Sequence, residues 1–487
     1  MKKNKYLLVV ILLLGILLRL RNWNLGPIDA HPMRQTDAEC VAYFMSQGIG
    51  SFLRPKACLM RPVTNTEGYF FLEFPVYEVL IATGYKIFGV KNVVFRVINM
   101  FLYLVASGGL YIFVKKILGE KLALASVFLL TTAPGAIFFI GHAIHPDVFA
   151  VACMMLSLGL LVKNPSPTPS LDPSLRRAGR AGVKYKLNKL ISGLLLGLSV
   201  ATRPFGLIVA PVYIYFLLKE KRKIVDWLLI FLPGMGIYGC WRWWIGRSGI
   251  SADWENWVLT GQNKFFDFNY MKILIWKNIS GEVVGRVISG LAVLGLIISI
   301  FKKDKKMLPI ILWLLMVPIY WYVAFEGNLI HQYYADIYLV PVLILASVGL
   351  IFIWDKSRIL ALVALILIIY NGYRTSDYFF KDIVYPEKIK YSAEIRENIK
   401  PDKKIIYMVK SDPVTLSLSH RQGWMLGEWP VDVAPTIWAF MEMRHSNFDY
   451  IVEPKNSMDM KREDAAIIEQ NYPLFRETES LRILKNK

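Results

Sequence analysis

Long apolar runs broken by short basic clusters fill the chain up to about residue 371. A helix needs roughly 20 apolar residues to cross a bilayer core. The runs predict spans at 6–20, 93–114, 122–140, 148–162, 190–202, 204–218, 225–245, 284–301, 307–325, 337–354 and 359–371. The first is read as a retained span, since no small-residue cleavage site follows it. The pair around "ATRPFG" is joined at Arg203-Pro204, as in a broken helix lining a cavity, where irregular backbone is tolerated. "FPVYEVLIATGYKIFG", 74–89, is apolar but short, and Glu78 and Lys86 interrupt it. It is predicted to lie along the membrane surface.

Charge turns this pattern into an orientation. The formal net charge is +20. From Gly372 onward 18 basic residues balance 18 acidic ones, so the excess lies in the membrane half. Six short loops hold 23 basic residues against five acidic ones, among them "KEKRK" at 219 and "KKDKK" at 302. This is the positive-inside pattern, and it argues against a nucleic-acid partner. With 74–89 lying flat, all six loops fall on one side. The expected topology is therefore multi-pass in the plasma membrane, N-terminus cytoplasmic and C-terminus outside. Residues 1–371 form the membrane domain, with a first outside loop at 21–92 and a flexible Pro/Ser/Arg-rich cytoplasmic loop at 163–189.

Residues 372–487 read differently, as a small α/β extracytoplasmic domain. "KIKYSAEIRENI", "VAPTIWAFMEMRH" and "REDAAIIEQNY" are helical in pattern, while "KKIIYMVK", "FDYIVEP" and "SLRILKN" are strand-like. Four cysteines are too few for a disulfide scaffold. Cys40 and Cys58 share the first outside loop, either as a pair or as two free thiols.

The unusual polar residues gather on the outer face of this topology. "HPMRQTDAEC" carries His31, Arg34, Asp37 and Glu39, and "GYFFLEFP" adds Glu73. Arg96 lies near the outer end of the second span, and "IGHAIHPDVF" brings His142, His145 and Asp147. Arg203 caps the broken pair, and "NLIHQYYADIYLVP" brings His331, Tyr333 and Tyr334. Ionisable groups at such depths are costly and mark chemistry or charge pairs. Each also has a plainer role: Asp37 pairs with Arg34 one turn away, Glu73 and Asp147 pair with membrane-edge arginines, Arg96 and Arg203 snorkel to lipid phosphate, and the tyrosines form an aromatic belt.

Two chemistries suit acids and arginines at an outer face. One is transport or flipping of a lipid-linked sugar through a charge relay. The other is transfer from a lipid-linked donor, with arginines on the phosphate and a carboxylate activating a hydroxyl. Charges clustered on one side, a long outside loop and an ordered outside domain favour the enzyme over the carrier. A sensor of envelope glycans is a third, weaker reading.

Six segments in order, "HPMRQTDAECVAYFM", "GYFFLEFPVYEVLIATGYKIFG", "FRVINMF", "TTAPGAIFFIGHAIHPDVFAV", "LSVATRPFGL" and "HQYYADIYLVP", resemble the multi-spanning glycosyltransferases of the GT-C fold. The likeness is to the protein-mannosyltransferase-like group of glycosyltransferase family 39, and it covers about residues 1–350. It implies an all-α polytopic membrane domain that moves a sugar from a polyprenyl-phosphate-sugar to an extracytoplasmic acceptor, a protein, lipid or glycan hydroxyl. By position Asp37 resembles the catalytic base, Asp147 the second-loop acid, and Arg96 the arginine facing the donor phosphate. Arg203, Arg34 and His331 are further phosphate candidates; His31, Glu39, His145 and Tyr333 are candidate substrate contacts. Glu73 and Asp147 would position substrate or hold a divalent cation such as Mg or Mn, with metal dependence left open. Nearby arginines are expected to favour ionised Asp37. The departures are an acidic pair split by Ala38, with Asp29 as a rival to Asp37, and "EFPVY" where some relatives have Pro-Pro.

Overall fold

A computed structural model describes residues 2–60, 67–163, 175–249, 258–381, 386–409, 413–425, 447–455 and 468–486. The chain divides into two compact units: Met1–Trp23, Arg96–Arg247 and Ala252–Phe380 form the first, and Asn24–Phe95, Ser248–Ser251 and Lys381–Lys487 the second.

Helix occupies each of the eleven expected spans. In order of the chain come α1 (Lys2–Arg19), then α2 (Pro32–Ser46) and α3 (Val76–Phe88) of the loop 21–92, then α4 (Asn92–Leu118), α5 (Glu120–Thr132), α6 (Pro134–Phe138), α7 (Pro146–Lys163) and α8 (Leu175–Thr202). A 3-10 turn at Pro204–Val209 leads into α9 (Ala210–Lys219), followed by α10 (Ile224–Arg247), α11 (Phe268–Lys272) and a π-helix at Ile273–Val283. Then come α12 (Arg286–Phe301), α13 (Leu308–Val323), α14 (Phe325–Ile330), α15 (Asp336–Lys356) and α16 (Arg358–Lys381). Among the described residues five helices are long and apolar enough to cross a membrane by themselves, or six if the pair Phe268–Val283 and Arg286–Phe301, bent by 111°, counts as one. Helix α3 has 13 residues, about 20 Å at 1.5 Å per residue, which is too short to span. The expected loop 163–189 differs: α8 begins at Leu175, so its second half is helix.

In the helical unit, glycines bring helices together. A Cβ on Gly295 of α12 would collide with the Leu345 carbonyl of α15, and one on Gly349 with the Leu291 carbonyl. Small residues let backbones approach where no water drives association. The break between α5 and α6 has its own fastening. Pro134 lacks an N–H, which leaves the Leu130 carbonyl without its helical partner. The fully buried Arg19 of α1 lies beside that carbonyl at 3.5 Å and donates to those of Ala136 at 2.8 Å and Ile140 at 2.9 Å. Its guanidinium lies 3.8 Å from the Tyr103 ring centre.

The other unit is built on a five-stranded sheet in the order β2-β1-β3-β5-β4. Helix α17 (Pro386–Asn398) precedes β1 (Ile405–Tyr407); α18 (Pro413–Ser419) joins it to β2 (Gly423–Met425); β3 (Tyr450–Pro454), β4 (Leu474–Glu477) and β5 (Leu481–Lys485) follow. β1 runs parallel to β2 and β3, and β5 is antiparallel to β3 and β4. Alternation sends Ile405, Tyr407, Val452 and Ile483 to one face, and Ile406, Met408, Ile451 and Leu484 to the other. The expected helix "VAPTIWAFMEMRH" lies outside the described residues, as does the start of "REDAAIIEQNY".

The expected division at 371/372 is not the one the contacts give. Cys40, Phe44 and Cys58, from the loop 21–92, share one buried cluster with Ile395, Ile405, Leu416 and Leu481 of the tail. Cys40 and Cys58 form a disulfide with Cα atoms 6.1 Å apart. Residues 58–60 bond along the β2 edge: Gly423 N donates to the Cys58 carbonyl at 2.9 Å, and Met60 N to that of Gly423 at 2.7 Å. The loop supplies part of the tail's core and a cover for its sheet edge, so the two form one body.

Candidate functional site

The candidate residues fall into two clusters, one in each unit. In the helical unit, the segment from the end of α6 to the start of α7, the α8 break and the start of α15 converge. Arg203 sits in extended conformation at the break (φ −138°) because Pro204 disfavours helix before it. Its Nη2 donates to Asp147 Oδ2 at 2.6 Å. His145 Nδ1 lies 3.4 Å from the same oxygen. Tyr333 packs on His145 with ring centres 4.5 Å apart and on His331 at 5.0 Å, nearly parallel. The Arg203 guanidinium lies 5.8 Å and 5.9 Å from the centres of Tyr333 and Tyr334. His145, Asp147, Arg203 and Tyr333 are all buried. Arg203 Nε makes no hydrogen bond among the described residues.

Neighbouring elements fix this cluster. Arg96, fully buried, donates to the His142 carbonyl at 2.5 Å, and Asn99 to the Ala143 carbonyl at 2.7 Å. Arg96 therefore neither snorkels nor stands open; it holds the segment between α6 and α7. Gly141, at φ +129°, passes where a Cβ would come within 2.8 Å of the Arg19 side chain. The π-helix is a rare form that often marks functional sites. Its Asn278 donates to the Leu329 carbonyl at 2.7 Å, and its Glu282 accepts from Gln332 at the same distance.

The second cluster surrounds α2. His31 caps this helix in left-handed conformation (φ +57°), with Pro32 in the first turn. Arg34 and Glu73 are buried and form an ion pair. Thus Arg34 pairs with Glu73, not with Asp37 one turn later. Asp29 is fully buried and accepts from Gln35 Nε2 at 2.6 Å, so the rival acid is engaged. Asp37, inside α2, is half-buried. Burial pushes its carboxyl up to about 7, with the Arg34 charge pulling the other way. Arginine proximity alone predicts the opposite direction; desolvation of the carboxylate outweighs it. Glu39 is buried too, accepting from Tyr85 Oη at 3.2 Å and facing His420 Nε2 at 3.1 Å.

Three residues escaped the sequence reading. Asp336, fully buried at the start of α15, has no hydrogen-bond partner on either oxygen among the described residues and lies within electrostatic reach of Asp147 and Arg203. Its signal in the sequence is a carboxylate opening an apolar run, next to the tyrosines. His420 and Arg19 are the others. Among the described residues no three His, Cys, Asp or Glu side chains converge as a metal would require. The described carboxylates and imidazoles therefore do not by themselves offer the three ligands a divalent cation would need.

Apolar helices with broken and irregular segments around an acid–arginine cluster, joined to a small mixed sheet, define a GT-C architecture. The chain has the GT-C fold of membrane glycosyltransferases. ArnT from Cupriavidus metallidurans, solved with undecaprenyl phosphate, matches over 98% of this chain and 98% of its own, with a TM-score of 0.62 and 11% identity. The Archaeoglobus fulgidus oligosaccharyltransferase matches over 93% of this chain and 69% of its own, at 0.61 and 13%. AglB from the same organism, solved with an inhibitory peptide and a dolichol-phosphate, covers 99% and 74%, again at 0.61 and 13%. Within that fold, residues 73–166 match the family model described as dolichyl-phosphate-mannose-protein mannosyltransferase. No curated protein matches the chain by sequence.

Proposed function

We propose that this protein is a membrane glycosyltransferase that moves a sugar from a polyprenyl-phosphate donor to an extracytoplasmic hydroxyl. The acceptor oxygen attacks the anomeric carbon and the bond from that carbon to the phosphate oxygen breaks. The electron pair leaves with polyprenyl phosphate, and the configuration inverts. Asp37 takes the hydroxyl proton. Arg203, with Nη2 on Asp147 and Nε unspent, holds the leaving phosphate, a charge-assisted bond that gains strength in a site sheltered from water. Asp147 and Glu73 each hold an arginine in place. Arg96 shapes the segment between α6 and α7, while His331 and Tyr333 offer the face on which the sugar lies.

The observation that carries this reading is a fold match spanning nearly the whole of both chains with a protein solved on undecaprenyl phosphate. The half-buried carboxyl of Asp37, raised to about 7, supports it from within the chain: a base is most useful when its pKa lies near the working pH. The orientation proposed is N-terminus cytoplasmic and tail outside. Purified protein incubated with radiolabelled polyprenyl-phosphate sugars and candidate acceptors should release polyprenyl phosphate and label an acceptor. Movement of intact donor across a vesicle without release would mark a flippase and overturn the reading.

A further inference from the structure

The helix that carries Asp37 is gripped from behind by the tail. Successive residues of an α-helix are about 100° apart, so Glu39 points roughly opposite to Asp37 on α2. Its buried carboxylate meets His420 Nε2 at 3.1 Å and 3.2 Å and accepts from Tyr85 Oη of α3 at 3.2 Å. The His420 ring stacks on Tyr43, one turn beyond Glu39, with centres 3.8 Å apart and planes 12° off parallel. His420 is itself held rigidly, in left-handed conformation (φ +55°) just after α18. Arg421 next to it donates to the carbonyls of Ile399 at 3.0 Å and Ser419 at 2.9 Å. The Cys40–Cys58 disulfide leaves α2 at the residue after Glu39, and Cys58 bonds on to Gly423.

We infer that His420 is a positioning residue for the transfer reaction: through Glu39 and Tyr43 it fixes the rotation of α2 and so the aim of the Asp37 carboxylate. The inference rests on Asp37 being the base. It makes the tail part of the catalytic apparatus, and it gives Glu39 a structural partner in place of a substrate. A buried carboxylate bonded by an imidazole and a phenol, with the imidazole stacked on the same helix, resists rotation as well as translation. A misplacement of about 1 Å can cost about 10²-fold in rate.

The test compares His420→Ala, His420→Gln and Glu39→Gln in the full-length protein. Glutamine can place an amide donor near the position of Nε2, so His420→Gln should restore most of what alanine loses. Alanine should lower kcat by about 10–100-fold while donor KM stays unchanged, and Glu39→Gln combined with it should add little. Asp37 should gain water, so the acid limb of kcat should move to lower pH. The same ionisation is read without turnover, by introducing Asp37→Asn into both the wild-type and the His420→Ala backgrounds. In each background the Tm difference that Asp37→Asn produces is followed against pH, and its midpoint reports the ionisation of Asp37. The inference is overturned if His420→Ala keeps normal kcat. It is also overturned if the pH midpoint of that Tm difference is the same in both backgrounds, or if glutamine does no better than alanine. A wild type that releases no polyprenyl phosphate from any donor overturns the enzymatic reading instead, and the Tm midpoint then still decides whether His420 positions Asp37.

Discussion

Replacing Asp37 by asparagine keeps the shape of the side chain and removes its charge, and the surroundings of that carboxyl set two outcomes of opposite sign. The group is shifted from an ordinary value of about 3.9 to about 7 by burial. If it is the base, it is about one-tenth ionised at pH 6 and nine-tenths at pH 8, so wild-type kcat should rise about tenfold across that interval. Asparagine cannot take the proton, and turnover should fall about 10²–10⁴-fold. Stability moves the other way. An acid whose folded pKa is raised imposes no penalty below about pH 4, where it is protonated folded and unfolded. The penalty grows as pH rises and is complete above about pH 7. At about 1.36 kcal/mol per unit the ceiling is about 4 kcal/mol, less in practice because Asp37 is partly exposed. Asp37→Asn should therefore match the wild-type Tm near pH 3.5 and exceed it at pH 8. The assays are product release from labelled donor and thermal unfolding in detergent across that range. A kcat flat between pH 5 and 8, or a variant with lower Tm at pH 8, would refute the reasoning and return Asp37 to a structural role.

The remaining predictions are more compact. Cysteines at Thr83 and Arg476 should react with an impermeant reagent from outside and one at Lys116 only after permeabilisation; labelling of Lys116→Cys from outside would reverse the proposed orientation. Arg203→Lys should weaken donor binding less than Arg203→Ala but should not restore turnover, since lysine keeps charge and loses the planar fork. Asp147→Asn should cost about 3–5 kcal/mol of stability by leaving Arg203 buried and uncompensated, read as a lower Tm, and an unchanged Tm would count against the ion pair. Cys40→Ser with Cys58→Ser should cost about 3 kcal/mol for a separation of 18 residues, measured as lost protease resistance of the tail.

The apolar helices were legible because apolar runs have a length set by the bilayer. The cluster of His145, Asp147, Arg203, His331 and Tyr333 was legible for a related reason: ions and imidazoles stand out against apolar sequence. Pairing within the clusters was not legible. Arg34 lies one helical turn from Asp37 but also within reach of Glu73, and sequence spacing cannot say which carboxylate wins. The direction of the Asp37 shift depends on how much water the fold removes, which no local pattern records. The interlock of the first loop with the tail was hidden as well. Cys40, Phe44 and Cys58 look the same in sequence whether they bury against membrane helices or against a sheet formed more than 300 residues later.

That last feature sets an order of events during synthesis. The chain makes Cys40 and Cys58 early, but the strands that cover them follow only after about 340 further residues. At roughly 5–20 residues per second, the loop waits on the order of 20–70 s, its apolar face uncovered, while the intervening helices enter the membrane. The disulfide closes a local loop and can form in that interval; the packing around it cannot. A tail expressed alone would lack Cys40, Phe44 and Cys58 from its core, and a chain truncated before β1 would leave those residues with nothing to bury them. Biogenesis of this protein thus depends on holding a half-made core in reserve until its last quarter arrives.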